Sequence, residues 1–294
     1  MNNNYSIQYS RYLEEINTYL EEFSSQGKYS NSSSVFESVR YSLLGGGKRI
    51  RPVLALAVGT ILGLSTQDVL PFAAAVEMIH TYSLIHDDLP DMDDDDLRRG
   101  RPSNHIVFGN ATAILAGDAL QAMAFESVLS GSGDLNYTNA ALFLAESAGL
   151  SGMVGGQGID VEFSSGTLEL DQLIDMHMLK TGAIMEAAIV GPMHLCRTSG
   201  DLYAKLENYA RYVGLAFQIR DDILDVEGDV SVLGKETNRD VDLSKNTFVS
   251  LLGIEESKRY LAECTENAVK IAKSIGDEGW FLAEFAKEGQ TRVK

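Results

Sequence analysis

The sequence is short of cysteine, proline and basic residues, and each shortage excludes something. Cys196 and Cys264 are its two cysteines in 294 residues, too few for a disulfide framework. Neither sits in a CxxC pair of the kind that binds zinc or runs redox chemistry. A chain of this length can bury a sizeable core without covalent staples. The five prolines, at 52, 71, 90, 102 and 192, leave long stretches free to be helical. Lys and Arg total 24 against 42 Asp and Glu, a formal net charge of −18. A field of that sign repels a phosphate backbone and argues against nucleic-acid binding as the main task. Long apolar runs are missing as well. The longest, residues 53–64, falls short of the roughly 20 residues that cross a bilayer, so no membrane insertion is expected. The opening Met1-Asn2-Asn3-Asn4 lacks the basic start and apolar stretch of a signal peptide, and a cytoplasmic location is the expectation.

What is present is helical periodicity. Leu13, Ile16, Leu20 and Phe23 step by three and four, as do Leu202, Leu206, Tyr209 and Val213. Ser65 with Asp68 resembles a capping box, Thr167 can cap a helix from Leu168 onward, and Pro52 suits a first helical turn. Alternating β-type runs are hard to find. Segments 119–129 and 140–150 are rich in Ala and Leu on more than one face, which suits helices enclosed by others, with some apolar surface left for self-association. No linker or change in composition divides the chain. The expectation is an all-α fold of roughly ten or more helices, one large bundle around a central cavity, with residues 1–294 as a single domain.

Acid is concentrated rather than spread. Seven of the ten residues in 87–96 are Asp, within His86-Asp87-Asp88-Leu89-Pro90-Asp91-Met92-Asp93-Asp94-Asp95-Asp96-Leu97-Arg98-Arg99-Gly100. Carboxylates so crowded repel and raise one another's pKa unless cations neutralise them. One or two carboxylates per ion, with phosphate completing the shell, is how Mg²⁺ is usually held. A solubilising acidic loop would not need the two arginines that follow. A calcium EF-hand starting at Asp91 fails, because Asp96 stands where Gly is required and Pro102 where Glu is. A second acidic segment, Phe217-Gln218-Ile219-Arg220-Asp221-Asp222-Ile223-Leu224-Asp225, puts Asp221 and Asp225 on one helix face. Two such segments in otherwise apolar helices form a Mg²⁺ cage that calls for an anionic substrate between them.

The basic residues supply the complement. Gly45-Gly46-Gly47-Lys48-Arg49-Ile50-Arg51-Pro52 offers backbone N–H groups, a Lys and an Arg at a helix start, an anion site. It is no Walker A loop, since Ser42 stands where the first Gly belongs and Arg49 where Ser or Thr does. Lys180-Thr181-Gly182, Lys235 and Lys245 are further candidate phosphate contacts. His80 lies two helical turns before Asp87 on the same face.

Taken in order, GGGKRIRP at 45–52, HDDLPDMDDDDLRRG at 86–100, GGQGID at 155–160, KTG at 180–182, FQIRDDILD at 217–225 and GK at 234–235 resemble the short-chain trans-prenyl diphosphate synthases, most closely the bacterial farnesyl type. The resemblance implies an all-α fold, a homodimer, three Mg²⁺ ions per active site, and head-to-tail condensation of isopentenyl diphosphate with dimethylallyl and geranyl diphosphate. It assigns metal to Asp87, Asp93 and Asp221, with Asp88 and Asp225 supporting. It assigns isopentenyl diphosphate to Lys48, Arg51, His80 and Arg99 beside Gly47, and the allylic side to Arg98, Lys180, Thr181, Gln218, Lys235 and Lys245. Of these, Lys180, Thr181, Gln218 and Lys235 are the expected catalytic group.

Three departures from the family pattern stand out. Asp91 replaces a small neutral residue, leaving Asp91 and Asp93 both open as ligands. Glu236-Thr237-Asn238-Arg239-Asp240 follows Lys235 where a Gly is common, and Thr247-Phe248 replaces a Thr-Tyr pair. Tyr82 and Ser83 lie five and four residues before Asp87, about 6–7.5 Å along the helix at ~1.5 Å per residue. Within the family a bulky residue there acts as a floor under the growing chain and favours a fifteen-carbon product, with geranyl and geranylgeranyl diphosphate as alternatives. A terpene cyclase would carry an Asn/Ser/Glu second metal motif instead of DDILD. A non-catalytic partner subunit would typically lose one Asp motif or its basic partners, and both are here.

Overall fold

The computed structural model describes residues 3–26, 34–133, 135–163, 166, 168–233 and 246–291. Helices account for nearly all of them: α1 (Asn3–Ser24), α2 (Ser34–Leu43), α3 (Ile50–Ile61), α4 (Thr66–Asp87), α5 (Asn104–Phe108), α6 (Asn110–Leu129), α7 (Tyr137–Ala148), α8 (Met153–Glu162), α9 (Leu170–His177), α10 (Ala183–Cys196), α11 (Asp201–Leu233), α12 (Phe248–Leu252), α13 (Ile254–Ser274) and α14 (Trp280–Thr291). The all-α expectation holds. The strands among the described residues are β1 (Leu97–Arg98) and β2 (Arg101–Pro102), a ribbon of two antiparallel pairs. Its turn residues, Arg99 (φ 53°) and Gly100 (φ 75°), are both left-handed, as a two-residue hairpin of the I′ kind demands. Sequence patterning missed this ribbon because two residues per strand are too few to alternate.

The ends of the helices follow local chemistry. Ser65 caps α4, its Oγ accepting from the Asp68 amide at 3.2 Å and donating to the Asp68 carboxylate at 2.6 Å. Pro52 falls in the first turn of α3, where its missing N–H costs nothing. Thr167 lies outside the described residues. Helix α9 begins later than that residue would have placed it, at Leu170, with the Gln172 side chain accepting from the Glu169 amide at 2.9 Å.

The helices gather into two compact units. One comprises residues 6–144 and 191–197. At its centre is α4, apolar on every face and buried from Val69 to Ile85 apart from His80, Ser83 and Leu84, with α3 and α6 packed against it. Of the predicted α1 stripe, Ile16 and Leu20 are fully buried, Phe23 nearly so and Leu13 half-buried.

The other unit comprises residues 1–5, 145–190 and 198–294. Here α13 packs along α11 and α14. Of the predicted α11 stripe, Leu206, Tyr209 and Val213 are buried, and the Tyr209 hydroxyl donates to the Leu282 carbonyl at 2.7 Å. A cluster of Leu173, Met176, Leu215, Ile219, Ile223, Phe248 and Leu261 forms a core around α9, α11, α12 and α13. His177 joins it, stacked on Phe248 with ring centroids 5.5 Å apart. Neither of its ring nitrogens finds a hydrogen-bond partner among the described residues. Burial pushes this imidazole down to about 4, with Asp160 pulling upward and Lys180 adding to the fall. The unfolded chain therefore binds a proton that the folded chain refuses between pH 6.5 and 4. Stability from a neutral His177 is complete above about pH 6.5 and lost as pH falls towards 4, by on the order of 3 kcal/mol. Urea unfolding at pH 7 and pH 4 should show His177→Leu losing less stability than the wild type by about that amount. Parallel losses would remove His177 from the acid response.

Candidate active site

Helix α4 delivers its acid at its C-terminal end. The helix stops at Asp87, and the chain folds back over that end: the Asp93 amide donates to the Asp87 carbonyl at 2.8 Å, and the Asp94 amide to the Leu89 carbonyl at 3.1 Å. Asp94 takes a left-handed backbone, φ 52°, to allow it. The backbone of Asp93 is thus held against that of Asp87. Asp88 turns the other way. It is 2% exposed and accepts from Arg98, with Nε at 2.8 Å. Burial raises the Asp88 pKa while Arg98 pulls it back. Arg98 also reaches Asp95 at 3.1 Å. Asp88 and Arg98, predicted to serve metal and allylic diphosphate respectively, neutralise each other here.

Upstream on α4, Tyr82 is buried and meets His86 edge-on, with ring centroids 5.7 Å apart. Its phenol is pushed up to about 12 by burial and by the Asp87 charge, so it stays neutral. Ser83 donates to the His80 carbonyl at 2.9 Å, and His86 Nε2 lies 3.1 Å from the Ile114 carbonyl of α6, tying the acidic end of α4 to its neighbour.

The basic turn at 45–52 belongs to the same unit. Burial, and then Arg51, Arg99, Arg49 and Arg98, hold His80 well below its usual range, so the imidazole is neutral at pH 7. Lys48 is exposed, and its carbonyl accepts from the Tyr9 hydroxyl at 2.6 Å. Arg51 is buried at the start of α3. The hairpin places Arg99 against the Gly46 carbonyl. A small cleft opens beside these groups, lined among others by Thr81, Ile85, Asp88, Arg98 and Arg99. Gly47, Lys48, Arg51, His80, Arg98, Arg99 and the first acidic motif therefore share one compact unit.

Lys180, Thr181, Gln218, Asp221 and Asp225 share the other. Residues Met178–Gly182 form a π-helical turn between α9 and α10, a rare local geometry that recurs at functional sites. A side chain at Gly156 of α8 would lie 2.2 Å from the Lys180 amide, so only glycine allows this approach. Lys180 Nζ donates to Asp160 at 2.6 Å. Thr181 Oγ1 donates to Gln218 Oε1 at 3.3 Å, and Gln218 Nε2 donates to Asp222 Oδ1 at 2.9 Å. Asp222 accepts from the Phe248 amide at 2.8 Å with its second oxygen. Burial pushes the Asp222 carboxyl up to about 6, with the Phe248 and Gln218 donors opposing. Asp222 faces inward, while Asp221 is half-buried and Asp225 exposed, which is the face that the i, i+4 spacing predicts.

Lys235, Lys245 and the altered run at 236–240 lie outside the described residues. Phe248, the departure from the Thr-Tyr pair, is fully buried and stacks on His177. Sequence reasoning missed Glu77, Asp160 and Asp222 as structural anchors. The available signal for Glu77 was a lone charge in an apolar helix, which must find a partner when buried.

The donors suit a hard divalent cation. They are carboxylates at the end of α4, in the loop after it and within α11, with no thiol and no imidazole pair to favour zinc. No three His, Cys, Asp or Glu side chains among the described residues converge as a ready cage. Mg²⁺ fits such a set, since it takes one or two carboxylates from protein and fills its shell with water and phosphate. No helix among the described residues is long and apolar enough to cross a membrane.

Comparison with known proteins agrees with this arrangement. The polyprenyl synthetase family model matches residues 32–277. The chain is 42% identical over 272 residues to farnesyl diphosphate synthase of Escherichia coli K12, covering 90% of each. It is 42% identical over 238 residues to a chloroplastic geranylgeranyl pyrophosphate synthase of Capsicum annuum, covering 80% of this chain and 64% of the other. Among solved structures, a geranyltransferase from Legionella pneumophila superposes with a TM-score of 0.88 at 32% identity, covering 99% of both chains. A match over that much of the sequence, with both acidic motifs and the basic turn in place, settles kinship: the chain belongs to the polyprenyl synthetase family.

Proposed function

We propose that this protein is a Mg²⁺-dependent trans-prenyltransferase that joins isopentenyl diphosphate head-to-tail to dimethylallyl and then geranyl diphosphate, yielding farnesyl diphosphate. The observation that carries the reading is the acidic loop folded over the end of α4, with Asp93 against Asp87 and the Lys48, Arg51 and Arg99 set in the same unit. Asp87, Asp93 and Asp221 would ligate Mg²⁺, three ions in all, with Asp88 and Asp225 supporting. When bound, the metal neutralises charge on the leaving diphosphate as a Lewis acid.

The reaction balances without a further reagent. The C1–O bond of the allylic diphosphate breaks and its electron pair leaves with diphosphate. The double bond of isopentenyl diphosphate forms the new C–C bond at C1, and a proton is lost to the departed diphosphate. Lys180, Thr181, Gln218 and Lys235 would hold the allylic diphosphate, joined by Arg98 and Lys245. Lys48, Arg51, His80 and Arg99 would hold isopentenyl diphosphate against Gly47. Fixed donors aimed at phosphate oxygens supply the positioning and electrostatic stabilisation that such a reaction needs. Neutral His80 would donate a hydrogen bond without adding charge to a crowded cationic set. Apolar walls would keep water from the allylic cation.

Tyr82, with Ser83 beside it, would set chain length as a floor, and its burial against His86 supports a fixed position for the ring. The Capsicum annuum relative keeps the geranylgeranyl product as the second reading. Residues 1–294 would act as one synthase domain. Ile106, Val107, Ile114, Leu115 and Leu142, all exposed, support a homodimer that covers them.

Purified protein incubated with Mg²⁺, isopentenyl diphosphate and either dimethylallyl or geranyl diphosphate should yield farnesol after dephosphorylation. Asp87→Ala and Asp221→Ala should each lower turnover by about 100-fold or more with the fold retained. Undiminished turnover in both would sink the metal assignment, and no condensation by the wild type would leave a partner-subunit role. Tyr82→Ala should shift the product beyond fifteen carbons. An unchanged product would return Tyr82 to core packing alone.

A further inference from the structure

Glu77 stands outside every motif, yet it joins the parts of the basic set. It lies on α4, three residues before His80, with its side chain 2% exposed. Arg49 Nη1 donates to its Oε1 at 2.6 Å, and that guanidinium is itself 1% exposed. The other Arg49 nitrogens are used as well, Nη2 on the Leu43 carbonyl at 2.5 Å and Nε on Asn17 Oδ1 at 3.2 Å. Arg49 therefore works inside the protein, although it is a neighbour of Lys48 in the glycine-rich turn. Its backbone is left-handed, φ 50°, a conformation that a non-glycine residue holds only when its surroundings enforce it. The same Glu77 oxygen lies 3.9 Å from Arg99 Nη2, an ion pair beyond hydrogen-bond length. Arg99 is also left-handed, φ 53°, and its guanidinium carbon sits 2.9 Å from where a side chain at Gly47 would be.

One buried carboxylate thus faces two arginines that come from different segments, the turn before α3 and the β1–β2 hairpin. Arg51 and Arg98 stand close enough to add to the field at His80. Without an anion, such a set repels itself, and a buried guanidinium deprived of its partner is strongly unfavourable. A counter-charge built into α4 lets the arginines hold their places before any substrate arrives.

We propose that Glu77 is a positioning residue for isopentenyl diphosphate. It touches no substrate; it holds Arg99 directly, and Lys48 and Arg51 through Arg49, in the arrangement that receives the diphosphate. This rests on the reading of Lys48, Arg51 and Arg99 as the isopentenyl diphosphate site. The proposed allylic contacts have anchors of their own, Asp160 for Lys180 and Asp222 for Gln218. Loss of Glu77 should therefore fall on one substrate and spare the other.

Calorimetric titration with isopentenyl diphosphate alone, where no turnover occurs, tests this on the full chain. Glu77→Gln should weaken binding by about tenfold or more. The KM for isopentenyl diphosphate should rise by a like factor, with the KM for geranyl diphosphate within about twofold of wild type. Unchanged affinity in a folded Glu77→Gln protein overturns the proposal, and so does an equal rise in both KM values, which marks a merely structural role. Should Glu77→Gln fold poorly, the Glu77→Gln/Arg49→Gln double variant keeps a neutral buried pair. It should melt near the wild-type temperature and still bind isopentenyl diphosphate weakly, because Arg99 has lost its carboxylate. Wild-type affinity in the double variant would mean that Glu77 only neutralises Arg49, and the proposal would fall. A wild-type protein that fails to bind isopentenyl diphosphate would instead contradict the assignment of the site itself.

Discussion

Like charges held close together in an apolar scaffold must be answered by opposite charge or by hydrogen bonds, and this requirement organises the molecule. Seven aspartates in ten residues follow a helix that is apolar on every face. The buried carboxylates have their answers within the chain. Asp88 has Arg98, Glu77 has Arg49, and Asp222 has the Phe248 amide and Gln218. The carboxylates proposed to hold metal are less buried. Asp87 and Asp221 are half-buried, and Asp93 and Asp225 are exposed. The division follows from electrostatics: internal pairs fix geometry, and the more exposed carboxylates keep access to an ion that brings its own water and phosphate.

Apolar packing turns these charges into a site. The buried α4 carries Glu77, His80, Tyr82 and Asp87 along one rigid element, and its end is tied to α6 through His86. The hairpin after it exists for two residues per strand, enough to send Arg98 towards Asp88 and Arg99 towards Gly46. In the other unit, a π-helical turn and the close approach of α8 set the Lys180 backbone, and Asp160 holds its ammonium group. Positioning of this kind draws on secondary structure that departs slightly from the regular.

Much of this was legible in the sequence. The helical class followed from 3.6-residue periodicity with little proline, and the Ser65 cap from its spacing to Asp68. The inward and outward faces of the second acidic motif followed from i, i+4 geometry. What escaped has a common physical cause. Glu77 and Asp160 act through partners 28 and 20 residues away in sequence, at Arg49 and Lys180, and Asp222 meets the Phe248 amide 26 residues away as well as its local partner Gln218; no local pattern encodes the distant pairings. The hairpin was too short to alternate, and the π turn has no periodicity of its own. The start of α9 moved because Glu169 and Gln172 close the helix end in place of a threonine further upstream. His177 carries no motif at all, and its lowered pKa comes chiefly from burial.

In the proposed reaction, metal and diphosphate bind as one, each completing the other's partners. Thermal melting of the wild type with Mg²⁺ alone, inorganic diphosphate alone, and both together tests it most directly. The pair together should stabilise the protein by clearly more than the sum of the separate shifts. Additive shifts, or full stabilisation by diphosphate without Mg²⁺, would contradict it.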